Sequence, residues 1–123
     1  MYTAYVLTDE SRSQLEEKFP PKYSKFIGHH VTIDFGVAAD TEIPEAAEIK
    51  VLGKRDSADG IEALVVSVNG KTTRSDGSIY HITWSLESDK YSPKDSNLLL
   101  NSAFFKYKMV LPVLIETQPQ LLK

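Results

Sequence analysis

The strongest constraint on how this chain can fold is the period of its apolar residues, which is two in one run after another. "HHVTIDFGV" at 29–37 and "SIYHITWSL" at 78–86 both alternate apolar and polar positions. Side chains at i and i+2 share one face of a strand, so this period predicts half-buried β-strands. In the first run Val31, Ile33, Phe35 and Val37 take one face, and His30, Thr32 and Asp34 take the other. In the second, Tyr80, Ile82, Trp84 and Leu86 take one face, and Ile79, His81, Thr83 and Ser85 the other. Each strand therefore has a core face and a polar face, and each polar face carries a His-x-Thr pair.

The remaining segments predict a small α+β protein. "YTAYVLT" at 2–8 is rich in β-branched and aromatic residues and reads as a strand. Residues 9–19 read as a helix. Asp9 is its expected cap, acidic residues crowd its first turns, and Leu15 and Phe19 share a face. Pro20 and Pro21 end it, and a connector leads into the first His-x-Thr strand. Residues 38–46 read as a loop. Residues 47–56 and 61–68 form a predicted hairpin turning at "SADG". Asn69-Gly70 and Asp76-Gly77 mark a loop carrying Lys71 and Arg74, both expected to be exposed. A short helix is expected over 96–104. A last strand is expected over 106–118, where Pro112 implies an edge position or a bulge.

Composition narrows the function classes. A chain of 123 residues supports one core. Its formal net charge of −3 is no general nucleic-acid signature, and duplex DNA is not an expected partner. The absence of cysteine removes disulfides, thiolate chemistry and sulfur-ligated zinc. The N-terminal residues do not resemble a signal peptide, and no apolar run approaches the roughly 20 residues that span a bilayer. The expectation is a soluble, cytoplasmic monomer that does not engage membrane.

If the two polar faces meet, two imidazoles and two hydroxyls converge on one small ligand. One imidazole can accept a proton while the other donates one, and threonine hydroxyls can hold phosphoryl oxygens. These groups suffice for phosphodiester cleavage without a metal, so His30, Thr32, His81 and Thr83 are the candidate catalytic residues. From Lys18 to Ile33, with Lys18 included, there are three lysines and no acidic residue. That patch makes Lys22 and Lys25 candidate contacts to an anionic substrate. Lys71 and Arg74 are further sources of positive charge. Tyr5, Tyr23 and Phe26 are candidate stacking surfaces. Ser85 extends the polar face, and Tyr107 and Lys108 are candidates for lining the cleft from the last strand. A lone His-x-Thr carries little specificity, and three other readings stand beside catalysis. The histidines can serve a binding module that turns nothing over, lie on a solvent-facing sheet, or bind a metal with Asp34 as the nearest carboxylate. His29 is expected to face the core in a supporting role.

The motifs "HVT" at 30–32 and "HIT" at 81–83, with the order of elements around them, resemble the 2H phosphoesterase superfamily. The segments "FPPKYSKFIGHHVTIDFG" and "SPKDSNLLL" are similar to small members, including viral anti-defence nucleases that cleave cyclic nucleotide messengers. The resemblance covers residues 2–115. It implies two lobes of antiparallel sheet related by a pseudo-twofold axis, with a central cleft and few flanking helices. It also implies cofactor-free cleavage of a 2′,3′-cyclic phosphate, a cyclic dinucleotide or an RNA-end phosphodiester. Larger members carry more helix after the first motif, where this chain has only residues 38–47.

Overall fold

The computed structural model describes residues 1–87, 90–100 and 108–123. These residues form eight strands and two helices in an α+β fold. The strands are β1 (Tyr2–Leu7), β2 (Lys25–Phe26), β3 (His30–Phe35), β4 (Ile49–Asp56), β5 (Ile61–Val68), β6 (His81–Leu86), β7 (Lys108–Ile115) and β8 (Thr117–Leu122). The helices are α1 (Asp9–Lys18) and α2 (Ser96–Leu100), the second preceded by a 3₁₀ turn at Pro93–Asp95. The β4–β5 hairpin and its turn lie where alternation placed them. Of the helix expected over 96–104, residues 101–104 lie outside the described residues.

All strand pairs are antiparallel, in the order β7-β4-β5-β6-β3-β1-β8, with β2 beside β6. The expected last strand proves to be two. β7 pairs with β4 and β8 with β1, at opposite ends of the strand order, and only Glu116 separates them. The sheet therefore curls until its two ends meet at Glu116. The start of α1 holds this junction. Glu116 N donates to Ser11 Oγ at 2.7 Å, and the Glu116 carbonyl accepts from Thr8 N at 3.2 Å. Pro112 and Pro119 both fall in these outer strands, where a missing N–H breaks no central ladder.

The main core lies inside the curl. Tyr5, Leu7, Val31, Ile49, Val51, Leu64, Val66, Ile82, Trp84 and Ile115 meet there with Leu15 of α1. Thr8, rather than Asp9, caps α1, accepting from Ser11 N at 3.2 Å. Asp9 is instead the first helical residue, where its charge suits the helix dipole. On the other side of the sheet, Ala63 and Val65 of β5 pack with Leu100 of α2. β5 is therefore buried along its whole length.

Two irregularities position the two His-x-Thr pairs. Residues 25–26 pair with Leu86 and Ser85, and Val31 pairs with Ile82. Between these pairs four residues on one side thus face two on the other, and the extra length turns at Gly28, whose φ is +48°. The second is a bulge between β1 and β3. Thr3 faces Asp34 and Ala4 faces Thr32, so Ile33 is the extra residue.

Candidate active site

β3 and β6 meet at the single pair Val31–Ile82, the middle residues of the two motifs. An antiparallel register through that pair sets His30 across from Thr83 and Thr32 across from His81. Val31 and Ile82 point into the main core. The four flanking side chains therefore emerge together on the opposite face. They line one cavity of about 280 Å³, whose wall also includes Tyr2, Phe35 and Arg74. The two halves expected from sequence converge.

The two motifs are not equivalent. His81 is buried against β5, where it pairs with Val65. Its Nδ1–H donates to the Ile79 carbonyl at 2.8 Å, which leaves Nε2 as the free nitrogen of the neutral ring. Burial lowers its pKa, the bond to Ile79 opposes this, and the Arg74 guanidinium lowers it further. His30 is half-buried, with Tyr2 at 5.3 Å between ring centroids. Burial, then the neighbouring His29 and His81, lower its pKa to about 4. Both imidazoles are thus held toward the neutral form.

The threonines differ as well. The Thr83 hydroxyl lies 3.2 Å from the Pro93 carbonyl and 2.9 Å from Ser96 Oγ. A carbonyl only accepts, so Thr83 donates to Pro93 and receives the Ser96 proton. No such tie holds the Thr32 hydroxyl among the described residues. Thr32 is therefore free to donate to a ligand, whereas Thr83 also anchors the start of α2.

Several candidates lie away from this cavity. Lys22 Nζ binds Asp56 Oδ2 at 2.5 Å, and the Tyr23 hydroxyl binds Asp56 Oδ1 at 2.5 Å. Lys25 is exposed on β2. Tyr5 is in the core, its hydroxyl donating to the Glu45 carbonyl at 3.0 Å. Ser85 is fully buried, donating to Glu62 Oε1 at 2.7 Å. Phe26 packs on Trp84 with ring centroids 4.8 Å apart. Tyr107 and the Lys108 side chain lie outside the described residues. His29 is exposed rather than core-facing, because the Gly28 turn breaks the strand alternation before His30. Its Nδ1 lies 3.0 Å from His30 Nδ1.

Other residues reach the cavity against the sequence pattern. Alternation puts Phe35 on the core face, but the extra residue Ile33 flips it to the cavity side, where it is 56% exposed. Strict alternation contains no signal for that bulge. Tyr2 shares the face of Ala4, opposite core residues Tyr5 and Leu7, and its ring lies 5.5 Å from Phe35. Arg74 does not sit on the exposed loop that the turn signals imply. Residues 72–80 fold back as an irregular hairpin, with Thr73 bridging Ile79 and Asp76-Gly77 at the turn. That places the Arg74 side chain, only 4% exposed, in the cavity wall. The paired turn signals flanking it are the one clue that sequence offers. Asp34 accepts from Ser75 Oγ at 2.7 Å and ties this hairpin to β3. Among the described residues no three His, Cys, Asp or Glu side chains come together to hold a metal ion.

No described helix is long and apolar enough to cross a membrane. Comparisons of the chain with protein-family models, curated proteins and solved structures found no match.

Proposed function

We propose that this protein is a metal-independent phosphodiesterase of the 2H type, acting on a 2′,3′-cyclic phosphate or another nucleotide phosphodiester. One observation carries the reading: His30, Thr32, His81 and Thr83 line a single cavity. On this reading the strands on either side of the Val31–Ile82 seam are the two lobes, and the seam is their pseudo-twofold axis.

His30 is the base. It is held neutral, and among the described residues no carbonyl stands behind its ring to favour the charged form. His81 is the acid. The Ile79 carbonyl stabilises its imidazolium, and the negative phosphodiester entering the cavity favours protonation further. With a 2′,3′-cyclic phosphate, His30 takes a proton from water, the water oxygen bonds to phosphorus, and one ribose oxygen leaves with the proton of His81. With a linear ribonucleotide linkage, His30 takes the 2′-hydroxyl proton, O2′ attacks phosphorus, and the departing 5′ oxygen takes the proton of His81. Thr32 donates to a non-bridging oxygen, where charge builds in the transition state.

The test is turnover of nucleoside 2′,3′-cyclic phosphates with EDTA present. His30→Ala and His81→Ala are each expected to lower kcat by about 10²-fold or more, with no loss on chelation. Unchanged rates in both variants would overturn the assignment. The base must be neutral, so activity falls as pH drops through the His30 pKa. The acid must be charged, so activity falls as pH rises through that of His81. Both are lowered. The kcat/KM profile is therefore expected to be a bell with its optimum below the usual histidine pKa of about 6.5. Binding without turnover would favour the noncatalytic nucleotide-binding module.

A further inference from the structure

The cavity between the histidines is not isolated. A second, more open cavity of about 530 Å³ adjoins it, lined by Phe35, Arg74, Asp76, Gly77, Ser78 and Asn97. Phe35, Arg74 and Asn97 belong to both walls. The inner cavity alone lies just below the roughly 300–1,000 Å³ typical of ligand pockets. A substrate with its phosphate between His30 and His81 therefore extends beyond it.

Arg74 stands at the divide in a fixed pose. Its Nε donates to Ser78 Oγ at 2.6 Å, and its Nη2 faces Asn97 Oδ1 and Asp76 Oδ2, each at 3.3 Å. The Nη1 end has no partner among the described residues. Its guanidinium carbon lies 5.3 Å from the centre of the Phe35 ring. Phe35, delivered to this face by the β3 bulge, offers an exposed aromatic surface, and the carboxylate of Asp76 stands largely exposed in the same wall. A ring to stack on and polar groups to meet base edges are what a nucleobase needs. The outer cavity has a carboxylate in its wall, so it suits a base better than a second phosphate.

Resting on the phosphodiesterase reading, we infer that the outer cavity is a second nucleoside subsite. Phe35 stacks the base there, and Arg74 Nη1 grips the bridging phosphate, which makes a dinucleotide linkage the preferred substrate class. The test separates this from catalysis by measuring binding. A 2′-deoxy dinucleoside monophosphate lacks the attacking hydroxyl and is compared with a nucleoside 3′-monophosphate by calorimetry. Phe35→Ala, at an exposed position, is expected to weaken the dinucleotide by about fivefold or more and to shift the mononucleotide by less than about twofold. Arg74→Lys is expected to weaken both ligands. Equal effects of Phe35→Ala on the two ligands, or none, would overturn the subsite. If binding follows the expected pattern but ribo-dinucleotides are not cleaved, the subsite stands and the catalytic reading falls.

Discussion

At the scale of single residues, the two threonines separate positioning from structure although their motifs look alike. Thr83 links the Pro93 carbonyl and the buried Ser96 hydroxyl. Thr83→Val leaves both without that partner and is expected to cost roughly 1–3 kcal/mol of stability. Thr32→Val breaks no such bond. It is expected to unfold within about 0.5 kcal/mol of the parent while losing about 10²-fold in kcat. Urea unfolding and steady-state kinetics on the pair of variants check this. A symmetric outcome, with both variants equally unstable or equally slow, would contradict the division of roles.

At the scale of elements, the turn at Gly28 lets one stretch of chain serve two registers on the same side of β6. Residues 25–26 pair with one end of β6, and residues 30–35 leave its other end to join β1. Only the positive φ of Gly28 allows this. A Cβ there would lie 2.5 Å from Phe26 Cε1 and 2.9 Å from Trp84 Cζ3. Gly28→Ala is expected to destabilise by roughly 2 kcal/mol or more from left-handed strain and crowding. Because His29 and His30 follow directly, turnover is expected to fall beyond what the unfolded fraction explains. A thermal melt alongside kinetics well below the transition distinguishes the two effects. The two strands β3 and β6 were legible from alternation. The pairing just before β3 was not, because "PPKYSKFIG" reads locally as a connector and gives no sign that residues 25–26 join β6.

At the scale of the whole molecule, the sheet depends on one strand changing partners at Glu116. β7 completes one edge and β8 the other, so core residues from both ends of the strand order share one interior. Removing residues 117–122 would leave β1 with a bare edge and open the curl. The expected outcome is loss of cooperative unfolding as a whole, not a lower Tm for one part. A sharp calorimetric transition in the truncated chain would show that closure is dispensable. Local pattern gave no hint of this exchange, since residues 106–118 read as one uninterrupted strand. Two edges that meet only after the sheet has curled leave no periodic mark.

The sequence by itself determined β1, β3, β4, β5 and β6, the hairpin that β4 and β5 form, the first helix and the four residues that lead the candidate site. It could do so because side-chain alternation is a local property: a His-x-Thr pair on the face opposite core residues is polar-facing whatever its neighbours are. Only the tertiary structure decided that the two pairs meet across Val31 and Ile82, that Thr83 is engaged and Thr32 is not, and that Arg74 and Phe35 stand in the wall. Those outcomes depend on register shifts at Ile33 and Gly28 and on a hairpin folded back against β3. Each is set by pairing between strands distant in sequence, which one-dimensional pattern does not encode.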